Sequence, residues 1–285
     1  MNRRHFLSHT SAALLGAAAL ARPAQALRPA MPSRRLDRIG LELYSVRDAM
    51  QRDPERTLAA VRSMGYVDVE LLWSMGNFGR TPKQVKITLD AEGLRAPSAH
   101  IDPRLLTGDW DRALDDARFL GHEYLIVPSL PRESSATLDD WRVWGDRLNA
   151  AGEKARAAGL WVAFHNEPHH MQPIDGVVPY DVMLERTTPA LVRHQLDVGN
   201  LTMGGGDPVL YLSKHHDRYW SFHIKDVVPD RSRDTGLGEG TVELRRILAM
   251  VRDIERKPCY VEQEGSADPM ASAKLDFDYL KALEF

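Results

Sequence analysis

The sequence LDVGN at residues 196–200, with FHIKD at 222–226 and YVEQE at 260–264, decides the fold. Each segment begins as a short apolar run and leads to a side chain able to bind a metal ion: Asp197, His223 and Glu262. Segments with helical patterning separate the three runs. In a closed (β/α)8 barrel the carboxyl ends of all parallel strands meet on one face. We therefore expect these side chains to lie together, where they suit a divalent metal with open coordination positions.

The same alternation of strand and helix patterns continues along the chain. Short apolar runs predict eight strands, at residues 39–46, 67–72, 94–100, 124–128, 160–166, 192–198, 219–224 and 259–263. Helical spacing of apolar residues predicts the intervening helices, at residues 54–64, 81–92, 110–120, 137–158, 180–187, 208–214 and 242–254. Eight alternating units without a linker favour a single α/β barrel over an open doubly wound sheet. A dinucleotide-binding domain is disfavoured, because no glycine-rich phosphate motif follows the first strand.

Composition limits the kind of partner. The chain has 285 residues, of which 43% are hydrophobic, and this fits one large domain with a sizeable core. A net charge of -3 provides no basic field, so nucleic acid and anionic membranes are disfavoured as partners. A small neutral or weakly charged ligand fits better, and a homo-oligomer is left open. Cys259 is the one cysteine of the chain and lies in an apolar run, so we expect it to be buried and inert.

The first residues predict an export signal. Arg3 and Arg4 precede Phe6, residues 12–20 form an apolar run, and residues 24–26 read Ala-Gln-Ala, which is typical of a cleavage site. Residues 1–26 are therefore predicted to be a twin-arginine signal peptide, and residues 27–285 the barrel domain. The apolar run is shorter than the roughly 20 residues of a membrane-spanning helix, which disfavours a stable anchor. We expect a periplasmic bacterial protein.

The predicted strands end in polar side chains. These are Glu42, Tyr44, Glu70, His100, His165, Asn166, Glu167, Asp197, His223 and Glu262. Polar groups inside a barrel need partners, so such a ring is hard to explain by packing alone. The set indicates a functional site at the carboxyl ends of the strands.

Five motifs resemble the sugar phosphate isomerase/epimerase family, the xylose isomerase-like TIM barrels. They are LYSVRD at 43–48, GYVDVE at 65–70, GDPV at 206–209, HIKD at 223–226 and EQE at 262–264. The resemblance covers essentially the whole chain after the signal. It implies a manganese, zinc or cobalt ion held by Glu, Asp, His and Glu at the ends of strands five to eight, and chemistry on sugars, inositol derivatives or keto compounds. Asp197, His223 and Glu262 match three of these four ligands.

The fifth strand departs from the family pattern. The family has His-Asn-His-x-x-Glu, whereas this chain reads HNEPHH at residues 165–170. Alignment without a gap places His170 at the ligand Glu and Glu167 at the second His. We expect His170 to be the fourth ligand, with Glu167 as the alternative. A metal-bound imidazole is not a free base, so proton transfer would fall to Glu262 on one face and to Glu167, His100 or Glu70 on the other.

These residues predict a divalent-metal-dependent isomerase or epimerase that removes a proton next to a metal-polarised carbonyl of a sugar or keto-sugar derivative. We expect the substrate to contact Tyr44, Trp73, His165, Asn166 and Lys225. Alternatively, Lys225 forms an ion pair with Asp226. Two other functions stay open: a lyase or hydrolase of 3-keto-glycosides, and a sugar-binding barrel without turnover. Endonuclease activity is disfavoured by the charge balance and the export signal.

Overall fold

Eight parallel strands close into a barrel in the computed structural model, which describes residues 33–285. The strands are β1 (Gly40–Glu42), β2 (Asp68–Leu72), β3 (Arg95–His100), β4 (Tyr124–Val127), β5 (Trp161–His165), β6 (Val192–Asp197), β7 (Tyr219–Ile224) and β8 (Cys259–Val261). Each strand pairs with its neighbours in sequence, and β1 pairs with β8 to close the ring. The predicted α/β barrel is confirmed. The predicted signal peptide lies outside the described residues.

Helices surround the barrel. They comprise Arg47–Arg52, Pro54–Met64, Pro82–Glu92, Trp110–Leu120, Leu138–Ala157, Pro179–Arg186, Val198–Met203, Pro208–His215, Leu244–Met250 and Pro269–Ala282. Short 3-10 turns comprise Leu43–Val46, Trp73–Gly79, Pro103–Thr107, Arg132–Ser134, Pro168–Met171 and Ile254–Arg256. A two-stranded ribbon, Asp226–Val227 with Asp234–Thr235, follows β7. No helix within residues 33–285 has both the length and the apolar character that crossing a bilayer requires.

The structure differs from the sequence-based prediction in the extent of the first strand and in three additional helices. The first strand was expected over residues 39–46, but it ends at Glu42 and a 3-10 turn begins at Leu43. Three helices were not predicted: Arg47–Arg52, Val198–Met203 and Pro269–Ala282. Two of these helices are only six residues long, so they contain too few turns to show an apolar period.

The helix Val198–Met203 begins directly at the end of β6. Asp197 caps it, because one carboxylate oxygen, Oδ1, accepts a hydrogen bond from the backbone N–H of Asn200 at 2.7 Å. Such a cap satisfies one of the N–H groups that the first turn of a helix leaves unpaired. The cap also holds the Asp197 side chain in one orientation, with its second oxygen, Oδ2, left for another partner.

The amino-terminal end of the barrel is closed by stacked side chains. The Arg193 guanidinium lies 3.5 Å from the ring centroid of Trp161 and 3.7 Å from that of Trp220. It also donates a hydrogen bond to the Tyr124 hydroxyl at 2.6 Å. Cations over indole faces are stabilised by the charge distribution of the ring. With this end filled, the open end of the barrel is the one that bears the polar strand ends.

Candidate metal centre

Four buried side chains meet at the carboxyl ends of β5 to β8. They are His165, Asp197, His223 and Glu262, and one potential ligand atom from each lies within 4.8 Å of the others. His165 and Asp197 are the last residues of their strands, and Glu262 follows β8 directly. The structure thus brings together the three ligands expected from sequence and adds His165, which had been expected to bind substrate.

Two atoms of this cluster lack hydrogen-bond partners although they are buried. They are Oδ2 of Asp197 and Nε2 of His165, which lie 3.6 Å apart. Oδ2 of Asp197 is also 3.9 Å from Nδ1 of His223. Ligand atoms at about 2.1 Å from one ion lie about 3 to 4 Å from each other, so these separations suit a shared ion. Two imidazoles and two carboxylates are ligands for zinc, cobalt, iron or manganese, so the residues fit a divalent metal.

His223 links the cluster to the barrel interior. Its Nδ1 lies 2.7 Å from Oε2 of Glu262, and its Nε2 lies 2.5 Å from Oε2 of Glu70. Burial alone would lower the pKa of His223, but the carboxylates of Glu262 and Glu70 outweigh burial and raise this pKa to about 10. Binding of a metal through Nδ1 would therefore release a proton. Glu70 would then hold the ring in place through Nε2.

Glu70 lies below the cluster rather than in the barrel mouth. Its carboxylate accepts hydrogen bonds from Gln195 at 2.9 Å and from His223, and it lies 3.1 Å from Nε2 of His100. Burial raises the pKa of Glu70, but the two histidines hold it well below its usual range. Burial and the charge of Glu70 raise the pKa of Glu42 well above its usual range. The structure therefore places Glu70 as a support for His223, away from the mouth.

His100 lies between this interior network and the mouth. Its Nε2 lies 2.9 Å from Oε1 of Gln195, and its ring stacks on His223 with centroids 5.3 Å apart. Its Nδ1 forms no hydrogen bond within residues 33–285. One ring nitrogen of His100 thus has no hydrogen-bond partner among the described residues, and its expected role at the substrate stays a prediction.

Lys225 is fully buried and compensates the charge of the carboxylates. Its ammonium lies 3.3 Å from Oδ2 of Asp197, 3.1 Å from Oε2 of Glu262 and 2.7 Å from Oε1 of Glu264. It also donates to Oδ1 of Asn200 at 3.1 Å. Burial lowers the pKa of Lys225, but the three carboxylates raise it well above its usual range. Among the described residues the ammonium donates hydrogen bonds to Asn200 and Glu264, while Asp197 and Glu262 lie within ion-pair distance of it.

Asp226 does not pair with Lys225 in the described part of the chain. Its carboxylate accepts hydrogen bonds from the backbone N–H groups of Val227, Gly238, Gly240 and Val242. It therefore holds the loop that follows β7. The ion pair between Lys225 and Asp226, which was the alternative for these residues, is not formed.

The structure does not bring His170 into the cluster. Its ring is buried against Phe164, with centroids 5.3 Å apart, and against Trp141, with centroids 5.0 Å apart. Its Nδ1 accepts a hydrogen bond from the backbone N–H of Glu167 at 3.0 Å. Within residues 33–285, no group of potential metal ligands contains His170. The structure therefore places the ring of His170, the expected fourth ligand, outside this cluster.

Glu167 is half-buried beside the cluster. Its Oε2 accepts a hydrogen bond from Nδ2 of Asn200 at 3.2 Å, and its Oε1 lies 3.9 Å from Nδ1 of His165. Burial, reinforced by the carboxylates of Glu262 and Asp197 and opposed by Lys225, raises the pKa of Glu167 to about 8. The structure thus places the carboxyl group of Glu167 next to the candidate metal centre, in addition to the two carboxylates that belong to that centre.

The remaining residues expected at the substrate have other surroundings. Asn166 exchanges two hydrogen bonds with the backbone of Asp197, at 2.9 and 3.0 Å, and so fixes the end of β6. Trp73 packs against His122, with ring centroids 5.4 Å apart. The ring of Tyr44 is covered by the Arg47 guanidinium at 4.3 Å. Asn166 thus supports the cluster through the backbone of Asp197, and the expected substrate contacts of these three residues stay predictions.

Comparisons with known proteins agree with this architecture. A family model described as xylose isomerase-like TIM barrel matches residues 58–283. A solved structure of a sugar phosphate isomerase/epimerase from Parabacteroides distasonis is 27% identical, with a TM-score of 0.75, and the match covers 86% of this chain and 98% of that one.

Two curated relatives are similar over shorter stretches. An inosose dehydratase from Salmonella agona is 31% identical over an alignment of 156 positions, which covers 48% of this chain and 50% of the relative. The rhizopine catabolism protein MocC from Rhizobium meliloti is 27% identical over an alignment of 207 positions, which covers 65% of this chain and 61% of the relative. The chain thus spans about half the length of the inosose dehydratase that it matches.

Proposed function

Because the chain belongs to the xylose isomerase-like TIM barrel family, we propose that it is a divalent-metal-dependent enzyme acting on a keto sugar or keto cyclitol. The reaction begins with removal of the proton next to the carbonyl group. The meeting of Asp197, His223 and Glu262 in one buried cluster carries this proposal. The similarity to a protein named inosose dehydratase supports a cyclitol or sugar derivative as substrate.

Glu262 is the base that the geometry favours. A divalent metal in this centre would polarise a carbonyl oxygen and so acidify the neighbouring C–H bond. Oε2 of Glu262 is held by His223 at 2.7 Å and by Lys225 at 3.1 Å. Burial raises the pKa of Glu262, but Lys225 and His223 hold it well below its usual range, so it is ionised. Its Oε1 accepts no hydrogen bond from the described residues and is free to take the proton.

Elimination is the outcome that we favour after this step. The electron pair of the broken C–H bond forms a C=C bond to the next carbon, and the C–O bond at that carbon breaks. The departing oxygen takes a proton from Glu167, the second carboxyl group beside the cluster, and leaves as water or as an alcohol. The net change is loss of water or alcohol without oxidation or reduction. The name of the dehydratase relative supports this outcome.

Epimerisation is the second candidate. Here Glu262 removes the proton and Glu167 returns a proton to the same carbon from the opposite side. The similarity to a structure named sugar phosphate isomerase/epimerase supports it. Both reactions share the first step and differ in whether a C–O bond breaks.

The two outcomes are separated by incubating the metal-loaded protein in D2O with inosose, a 3-keto-glycoside and a ketose. Elimination releases water or the aglycone and forms an unsaturated ketone that absorbs in the ultraviolet. Epimerisation incorporates deuterium at the carbon next to the carbonyl without release of a group. Glu262→Gln should stop both, whereas the exposed Glu243→Gln should stop neither. Sugar binding without deuterium uptake or product would contradict enzymatic activity and favour a binding protein.

We also propose that the protein is exported to the periplasm by the twin-arginine route. Arg3 and Arg4 before an apolar run support this proposal. Replacing both arginines with lysine should leave the protein in the cytoplasm of a bacterial host, as measured by cell fractionation. Export of the double variant at the normal rate would contradict it.

A further inference from the structure

We infer that His165 is the fourth ligand of the metal centre, which therefore contains two imidazoles and two carboxylates. The family pattern implies one imidazole and three carboxylates. This inference deepens the proposed function and rests on it. Three independent contacts support it: those of the His165 ring, those of the His170 ring, and those of the Glu167 carboxyl group.

The hydrogen bond of His165 directs a lone pair into the cluster. Nδ1 of His165 lies 3.4 Å from the backbone oxygen of Pro128, a carbonyl that can only accept. Nδ1 therefore carries the ring proton, and Nε2 of the neutral ring carries the lone pair. Nε2 is the atom that faces Oδ2 of Asp197 at 3.6 Å, and neither buried atom forms a hydrogen bond, although Oδ2 also lies 3.3 Å from the Lys225 ammonium. Histidine ligands typically bind a metal in this way, with the other nitrogen donating to a carbonyl or carboxylate.

His170 has the opposite tautomer. Its Nδ1 accepts a hydrogen bond from the backbone N–H of Glu167, so its ring proton is on Nε2. Neither nitrogen of the neutral ring then has a free lone pair. Packing against Trp141 and Phe164 also fixes the ring where it is. Binding a metal through His170 would require breaking this hydrogen bond and removing the ring from its apolar surroundings.

Glu167 lies on the side of His165 that faces away from the cluster, so its carboxyl group does not share the ion. Its Oε1 is 3.9 Å from Nδ1 of His165, which is the nitrogen that faces away from Asp197. Its Oε2 is engaged by Nδ2 of Asn200. The carboxyl group therefore remains outside the centre, which leaves it available for proton transfer.

Replacing a carboxylate by an imidazole changes which metal the centre prefers. Imidazole suits zinc, cobalt and iron, whereas carboxylate-rich sites suit manganese and magnesium. Two anionic ligands also neutralise less of the metal charge than three, so the ion polarises a carbonyl more strongly. We therefore expect the ratio of Zn²⁺ affinity to Mn²⁺ affinity to be higher in this chain than in a family member with three carboxylate ligands.

The test measures metal binding rather than turnover. The full chain is stripped with a chelator and titrated with Zn²⁺ and Mn²⁺ in competition with a chelating dye. His165→Asn should weaken Zn²⁺ binding by more than about 100-fold, beyond the 10- to 100-fold typical of groups that only support a ligand. Zn²⁺ affinity should change less than about tenfold in Glu167→Gln and in His170→Asn. The His170→Asn variant keeps an acceptor near the position of Nδ1. His165→Glu should retain binding and shift the preference towards Mn²⁺.

Zinc X-ray absorption of the unmodified chain gives a second readout that does not depend on the folding of any variant. We expect scattering from two imidazoles per zinc, and from one in His165→Asn. A single imidazole per zinc in the unmodified chain would overturn the inference. So would a large loss of Zn²⁺ affinity in His170→Asn or Glu167→Gln with no loss of affinity in His165→Asn. Two imidazoles without turnover of keto substrates would uphold it and overturn the proposed function. Failure to bind either metal would overturn both.

Discussion

Replacing Lys225 with methionine should destabilise the metal-free protein far more than the metal-loaded protein. The Lys225 ammonium is buried, and it lies 3.3 Å from Asp197 and 3.1 Å from Glu262. Methionine has a similar length but no charge, so both carboxylates would remain buried without this cation. Removing one partner of a buried ion pair costs about 3–5 kcal/mol, because an uncompensated charge remains.

The metal-loaded variant should lose less stability. A divalent ion held by Asp197 and Glu262 supplies the positive charge that Lys225 supplies without metal. The remaining loss should then be about 1–1.5 kcal/mol, which is the contribution of a typical hydrogen bond. By linkage, the ion should bind the variant more tightly than the unmodified chain, because binding relieves a larger destabilisation.

Thermal unfolding followed by circular dichroism, with a chelator and with saturating Zn²⁺, measures both losses. For a domain of this size 1 kcal/mol corresponds to about 2–4 °C, so the metal-free variant should unfold roughly 6–20 °C earlier. Lys154→Met is the control, because Lys154 pairs with Asp111 on the surface, where such a pair contributes about 1 kcal/mol or less. Equal losses with and without metal, or a loss as small as that of the control, would refute the reasoning.

Three further predictions concern packing and burial. Gly199→Ala should destabilise the protein by about 1–3 kcal/mol, because the new Cβ would lie 2.6 Å from the side chain of Lys225. An unchanged unfolding temperature would contradict this. Cys259 should react with a thiol reagent only after denaturation, since burial raises the pKa of its thiol to about 12; rapid labelling of the folded protein would argue against burial. Arg193→Leu should lower the free energy of unfolding in urea by about 1–2 kcal/mol through lost contacts with indole rings. It should leave Zn²⁺ affinity unchanged, and a change there would show that the two ends of the barrel are coupled.

The sequence was sufficient to predict the barrel and three members of the cluster. Strand patterns locate the carboxyl ends of the strands, and parallel strands must bring those ends together. Asp197, His223 and Glu262 stand at such ends, so their meeting follows from local pattern and topology. The helix after β6 also had a local signal, because an Asp before a short turn is a common helix cap.

The fourth position was harder to predict because it depends on contacts from distant segments. Alignment favoured His170, but the ring of this residue packs on Trp141 and takes a hydrogen bond from the backbone of Glu167. His165 is directed by the carbonyl of Pro128, which is 37 residues away. Its position at the end of β5, equivalent to that of Asp197 at the end of β6, was the available signal. The tautomers of the two rings follow only from the folded structure.

The charge partners of Lys225 also could not be predicted from the sequence. The motif HIKD places its side chain near a ligand but does not show that Glu262 and Glu264, in the segment after β8, surround its ammonium. Nor does the motif show that Asp226 is taken up by the backbone of the loop after β7. Charge partners in this barrel are set by neighbouring strands, and a linear pattern does not contain their side-chain orientations.

Anomalous diffraction from crystals of the full chain grown with zinc tests the metal centre most directly. We expect one strong zinc peak at about 2.0–2.2 Å from Nε2 of His165, Nδ1 of His223 and a carboxylate oxygen each of Asp197 and Glu262. A peak bonded to His170, or no peak among these four residues at saturating zinc, would contradict the centre described here.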